Sequence, residues 1–188
     1  PSNDSLELRK LAEEFDLTRL VITELAHTVD MNQTDFTDPF SLTGFSSRVH
    51  MLARIINMVS DSITPDLGDL LWRRVFMSKS LAQQGRRALW DMLCGTTRCS
   101  AQANSFIERC IQVYLPELSP AEDYLPEVLQ FAKQTINYEV RFNPPSIAGE
   151  NEVVAIPGMD RIWSFILTAP PGTIETDAIT FAIEVYLD

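Results

Sequence analysis

Apolar residues recur at spacings of three and four along most of the chain, a pattern typical of amphipathic helices. Two such stripes meet near Asp16, so residues 6–29 are expected to form one long helix or two shorter helices broken there. The clearest stripe covers five helical turns and consists of Phe45, Val49, Leu52, Ile56, Val59 and Ile63. The pattern therefore predicts an all-α fold.

Proline and glycine mark where the next helices begin and end. Pro65 suits the first turn of a helix over residues 67–76, where its missing N–H is not needed. A turn at Lys79 and Ser80 leads into a helix over 81–93, and Gly95 is expected to end that helix as a left-handed cap. Further stripes predict helices over residues 100–115, 125–136, 159–167 and 174–186.

Two stretches lack this periodicity. Residues 30–43 are polar with one proline, and residues 143–158 contain three prolines and two glycines. Both are expected to be long loops. The second includes Val153-Val154-Ala155-Ile156, the only short run with β-like character.

Two segments of the sequence resemble each other. Asp69–Phe76 matches Asp160–Leu167, with Asp three residues before Trp in both, and Leu89–Leu93 matches Ala182–Tyr186. Each pair of segments predicts a helical hairpin, which cannot bury both of its apolar faces alone. Side-by-side stacking of antiparallel hairpins, as in HEAT or armadillo solenoids, would bury them. The alternative is an irregular helical bundle in which the two segments are alike by chance.

Size and composition suit one globular helical-repeat domain over residues 1–188. The chain is 45% apolar and 22% charged, and no apolar run reaches the length of a membrane span. It starts at Pro1 without a signal peptide, so we expect a fragment of a longer chain. Three cysteines, an odd number, favour reduced thiols and a cytoplasmic or nuclear location.

Charge is unevenly distributed along the chain. The net charge is −11, yet residues 44–115 carry an excess of basic groups. The acidic total argues against nucleic acid as the partner. The basic pairs Arg73-Arg74 and Arg86-Arg87 fall on consecutive predicted helices, and the alternatives are a solvated surface or a docking patch for an acidic protein. All three tryptophans are expected to anchor the core. Trp90 is the one most open to partial exposure, so it joins the four arginines as a predicted partner-binding residue.

The sequence does not point to catalytic, cofactor-binding or metal-ligating residues. A cysteine nucleophile needs a histidine within reach, but His27 and His50 both fall within helical stripes. Cys94, Cys99 and Cys110 lack the paired spacing of a zinc site. The glycines are scattered, so no phosphate-binding loop is predicted either.

Two parts of the chain carry a resemblance to a known family. Ile156–Trp163 followed by Ile174–Ile179, together with Asp69–Trp72 and Leu89–Leu93, resemble the non-catalytic helical region of very large ubiquitin-specific proteases of the fat-facets type. The resemblance implies a parent chain that is a cysteine-type deubiquitinase. The Cys and His boxes of the protease domain are not present in this sequence, so no catalytic residue is carried over.

The function implied by the resemblance is that of a protein-binding scaffold segment outside the protease domain. Its partners would be proteins: ubiquitin, ubiquitinated substrates or regulators. The alternatives are a helical-repeat adaptor whose parent chain has no protease, and a small enzyme whose site is not recognisable from sequence.

Overall fold

The computed structural model describes residues 3–31, 39–59, 62–99, 105–118, 126–142, 156 and 158–187. Over these residues the chain is helical and contains no strand, which confirms the all-α prediction. The contacts divide the chain into two compact units, Pro1–Phe106 and Ile107–Asp188. That residues 1–188 form a single repeat domain stays a prediction.

The first unit contains five helices and the start of a sixth. Their bounds are α1 Asn3–Glu14, α2 Leu17–Asp30, α3 Pro39–Met58, α4 Pro65–Leu71, α5 Gln83–Cys99 and α6 Ser105–Arg109. Helix α4 continues directly into a π-helical turn, Trp72–Phe76. Helix α2 packs against α1, α3, α4 and this turn, while α3 packs against α5. The apolar stripe of α2 is therefore buried on several sides, with Ile22 and Leu25 fully enclosed.

The second unit begins at the end of α6. A π-helical turn, Cys110–Tyr114, leads into the single turn α7 Leu115–Glu117. Three longer helices follow: α8 Pro126–Phe142, α9 Met159–Thr168 and α10 Glu175–Leu187. Helix α9 packs against both α8 and α10. A six-residue connection joins α9 to α10, so these two helices form an antiparallel hairpin.

The structure resolves the sequence ambiguity at Asp16. This residue has a left-handed backbone, with φ 45°, and ends the helical path between α1 and α2. Asp tolerates that conformation better than most residues because its short side chain can hydrogen-bond locally. Here the Asp16 carboxylate accepts from Nε of Arg19 at 2.7 Å. Two helices broken at this point are thus confirmed.

Three predicted boundaries are wrong. The stripe from Phe45 to Ile63 predicts a helix over five turns, but α3 ends at Met58. Of the predicted loop over 30–43, residues 39–43 belong to α3, which begins at Pro39, since proline favours the first helical turn. Residues 32–38 of that loop lie outside the described residues. Gly95 does not end α5, which continues to Cys99. A glycine inside a helix costs about 1 kcal/mol relative to alanine, which packing can outweigh. In α5, burial of Met92, Cys94 and Thr96 around Gly95 supports the continued helix.

The start of α4 agrees with the prediction. Thr64 precedes Pro65 in an extended conformation, and its hydroxyl accepts from the N–H of Leu67 at 3.4 Å. This bond satisfies one of the free N–H groups at the helix start. The predicted loop over 143–158 and its β-like run lie outside the described residues, apart from Ile156 and Gly158.

Candidate functional site

The four arginines predicted to bind a partner lie on two consecutive segments. Arg73 and Arg74 belong to the π-helical turn and are exposed, while Arg86 and Arg87 belong to α5. Arg74 forms an ion pair with Asp30 at the end of α2 through Nη2, and its Nε donates to the same carboxylate at 3.4 Å. The hydrogen bond and the charge of Asp30 raise the pKa of Arg74. Arg74 therefore connects the π-helical turn to α2.

Arg86 also makes a bond within the protein. Its Nε donates to the carbonyl of Leu81 at 3.1 Å, which ties the chain before α5 to the first turn of that helix. Two of the four arginines thus have structural roles in the first unit. That the group binds an acidic partner stays a prediction.

Trp90 is not at the surface. It is 2% exposed and meets Trp72 and Phe76 edge-on, with ring centroids 5.7 and 5.2 Å away. Trp72 and Phe76 are themselves stacked at 5.4 Å. The expected partial exposure of Trp90 is wrong, because these three rings, here called the aromatic cluster, enclose one another. In this conformation a partner has almost no surface of Trp90 to contact.

The prediction for Trp163 is wrong in the opposite sense, because this residue is more exposed than predicted. It was expected to be a core anchor, like the other two tryptophans, but it is 45% exposed on α9. Met159, Ile162 and Phe165 form the buried stripe of that helix, and Trp163 lies to one side of it. Of the three tryptophans, Trp72 and Trp90 are core residues and Trp163 is not.

Trp163 belongs to an apolar groove between α9 and α10. The groove has a volume of about 270 Å³. Its lining consists of Trp163 and Ile166 from α9 and Ile179, Ala182, Ile183 and Tyr186 from α10. The α10 residues recur at helical spacing and form a second apolar stripe beside the buried stripe of Ala178 and Phe181. Helix α10 is therefore apolar on two faces, of which only one is covered.

Two glycines determine how the hairpin is placed. Gly158 precedes α9 with φ 84°, and a Cβ at this position would lie 3.2 Å from Ile136 of α8. Glycine thus allows both the left-handed turn and the close approach of α9 to α8. Gly172 has φ 78° in the turn before α10, with open space around it. Helix α8 packs on α9, and its Lys133 lies over the buried ring of Phe181, so the covered side of the hairpin faces α8.

The charged residues around the groove are mainly acidic. Asp160 lies one turn before Trp163, and Glu175 one turn before Ile179. The guanidinium of Arg161 lies 5.9 Å from the ring of Phe165, and the ammonium of Lys133 lies 5.5 Å from the ring of Phe181. Phe165 and Phe181 belong to the buried stripes, so both cations lie on the inner side of the hairpin. Carboxylates therefore dominate the groove side.

The described thiols are unsuited to nucleophilic catalysis. Cys94 and Cys110 are buried and unpaired in disulfides. Burial raises the pKa of Cys110 well above its ordinary value, against a smaller opposing effect of Arg109. The reactive form of cysteine is the thiolate, which this environment disfavours. His27 and His50 are exposed, and Nδ1 of His50 lies 2.7 Å from the carbonyl of Ser46 in its own helix.

The groove could not be predicted from the sequence because no motif marks it. Its only signal is that Ile179, Ile183 and Tyr186 add a second apolar face to a helix that already has one. In the described ranges, no three His, Cys, Asp or Glu side chains come together as metal ligands. The helices that the structure describes include none long and apolar enough to cross a bilayer.

Comparisons with known proteins give no match. No protein-family model matches the chain, and no curated protein or solved structure is significantly similar to it.

Proposed function

We propose that the chain is a non-catalytic helical scaffold that binds a partner protein at the groove of α9 and α10. The observation that carries the proposal is a set of large apolar side chains, Trp163, Ile179, Ile183 and Tyr186, exposed together on one hairpin. Contiguous exposed apolar surface of this kind marks interaction sites in folded proteins. Tryptophan and tyrosine are also the side chains that most often dominate binding energy at interfaces.

The state of Cys110 agrees with a binding role. Cys110 is fully enclosed, and burial keeps its thiol protonated at neutral pH. Activation of this thiol would require removing it from its present packing. A scaffold has no such requirement, because its work is done by surface complementarity.

The architecture proposed for the scaffold is a stack of antiparallel helical hairpins of the HEAT or armadillo type. Support comes from the hairpin α9–α10 and from the similar sequence in α4, its π-helical turn and α5. Repeated hairpins with apolar outer faces are the units from which such stacks are built.

The biological setting we propose is a large ubiquitin carboxyl-terminal hydrolase of the cytoplasm or nucleus, of which this chain is a scaffold segment. Support for this setting is the sequence resemblance of 156–188 and 69–93 alone. A helical adaptor without a protease in its parent chain is the alternative. The complete open reading frame separates the two, since only the first requires a Cys box and a His box.

The binding role is tested by comparing two surface variants in quantitative affinity capture. Ile183→Asp places a charge in the groove, and Leu20→Asp makes the same change at an equally exposed apolar position of the first unit, 55% against 53% exposed. We expect at least one protein retained by the wild type and by Leu20→Asp to be lost from Ile183→Asp. Purified ubiquitin, titrated against the same three proteins by calorimetry, tests the ubiquitin setting directly. Equal retention by all three would refute the groove as a binding site.

A further inference from the structure

We propose that the partner of the groove is an amphipathic helix of another protein, with lysine or arginine residues beside its apolar stripe. The inference rests on the proposed function and names the chemical class of the partner. Three observations lead to it: the shape of the groove, the counterpart of the groove in the first unit, and the charge around it.

The shape of the groove suits a helix. Two antiparallel helices in contact leave a furrow between them, into which the side chains of a third helix can pack. From Glu175 to Tyr186, α10 spans about 16 Å, which equals about three turns of a partner helix. A helix with apolar residues at i, i+3 or i+4, and i+7 would place one of them in each turn along the furrow.

In the similar sequence of the first unit, the residues that correspond to this face are buried. In the register of the two matching segments, Trp163, Leu167 and Ile183 correspond to Trp72, Phe76 and Trp90. The second set is the aromatic cluster, all of it buried, whereas Leu167 is 79% exposed. In the first unit, α2 packs against α4 and the π-helical turn that carry two of these rings. The amphipathic helix α2 is thus the element that packs on the first-unit segment matching α9.

The acidic residues around the groove favour a partner helix with basic residues. Because α9 and α10 are antiparallel, Asp160 and Glu175, each in the first turn of its helix, lie toward opposite ends of the groove. Asp177 and Glu184 lie on the opposite side of α10 from the groove residues, so Asp160 and Glu175 are the carboxylates that border it. Arg161 and Lys133 lie against buried rings on the inner side. Lysine or arginine at both ends of a partner helix would meet carboxylates, while a second copy of the groove would bring like charges together.

Asp160 and Glu175 also have a structural role, because a carboxylate in the first turn of a helix interacts favourably with the helix dipole. That role does not depend on the charge of a partner. A test that compares partners of opposite charge therefore separates the two roles.

The experiment measures fluorescence anisotropy of two labelled peptides of about 15 residues, long enough to fold on the groove. Both have leucines at helical spacing on an alanine background; one carries lysines beside the leucines and the other carries glutamates. The full 188-residue chain is titrated in four forms: wild type, Ile183→Asp, Leu20→Asp, and the double variant Asp160→Asn/Glu175→Gln.

We expect the lysine peptide to bind the wild type at least about tenfold more tightly than the glutamate peptide at low salt, and this ratio to fall as salt is added. Ile183→Asp should remove binding, and Leu20→Asp should leave it unchanged. The double variant should weaken the lysine peptide about three- to tenfold and leave the glutamate peptide no weaker. Circular dichroism of each variant confirms that its helices are intact.

Three results would overturn the inference. Equal binding of both peptides, lost in Ile183→Asp, would refute a basic partner while leaving groove binding in place. No saturable binding of either peptide would refute helix docking, and the affinity-capture comparison would then decide the proposed function independently. Concentration-dependent dimerisation that Ile183→Asp abolishes would identify a second copy of this chain as the occupant.

Discussion

The predicted first hairpin, which consists of α4, its π-helical turn and α5, differs from the hairpin α9–α10 in what covers it. Both have a tryptophan three residues after an aspartate, at Trp72 and Trp163. Trp72 is buried and lies against two aromatic rings, whereas Trp163 borders an open groove. Helix α2 packs on α4 and the π-helical turn, whereas α8 packs on α9. Similar sequences thus become core or surface according to their neighbours.

The largest expected difference between the hairpins is in stability. Trp72→Ala should lower the free energy of unfolding by about 3–5 kcal/mol, because it leaves a cavity in a packed aromatic cluster. Trp163→Ala, at an exposed position, should change it by about 0.5 kcal/mol or less. Urea unfolding followed by far-UV circular dichroism measures both. Similar losses for the two variants would contradict the burial difference.

Thiol labelling compares the same two faces without removing a large side chain. In a Cys99→Ser background, Cys94 and Cys110 should react with a thiol reagent only when the protein opens, since both are buried. A cysteine placed at the groove by Ile183→Cys should react at least about a hundredfold faster. Mass spectrometry of labelled peptides over time gives each rate. Slow labelling at position 183 would show that the groove is covered in solution.

The two glycines test which side of the second hairpin is packed. Gly158→Ala should destabilise the protein by about 1–3 kcal/mol, because alanine resists the left-handed backbone and its Cβ would crowd Ile136. Gly172→Ala, with a similar φ but open space, should cost only about 1 kcal/mol. Thermal unfolding of both variants gives the difference that is due to contact with α8. Equal losses would mean that the approach to Ile136 adds nothing.

The smallest expected effect concerns the ion pair that connects α2 to the first hairpin. Arg74 and Asp30 are both exposed, and exposed pairs contribute little to stability. Arg74→Gln should therefore leave the thermal midpoint close to that of its neighbour control, Arg73→Gln, with any difference reduced by salt. A large drop specific to Arg74→Gln would show that charge, rather than apolar packing, holds α2 on this hairpin.

Periodicity predicted most helical regions well because most helices have a buried stripe of their own; α1, whose Leu6 and Leu11 are exposed, is an exception. Phe45, Val49 and Leu52 are buried as their spacing requires, and the break at Asp16 was visible as a meeting of two stripes. Helix ends were harder, because they depend on neighbours: Gly95 has the residue type of a cap, but the packing around it extends α5.

The groove could not be predicted for a related reason. Trp90 and Trp163 both lie beside an apolar stripe, and local sequence does not say which of them another helix will cover. Trp90 is enclosed by two rings from a different segment, whereas Ile183, its counterpart in the matching register, is 53% exposed. Exposure at these positions is a property of the tertiary neighbours.

The π-helical turn at Trp72–Phe76 affects how the first hairpin tolerates changes in chain length. The N–H of Met77 donates to the carbonyl of Trp72 at 2.9 Å, five residues back, so this turn holds one residue more than an α-helical turn. Deleting one exposed residue there, such as Arg73, would convert the turn to α-helix and keep the following residues facing as before. Helix α9 has no π-helical turn, so the same deletion there would rotate every later side chain of the helix by about 100°. In-frame loss of a codon is therefore tolerable at this point of the gene and harmful at the matching point.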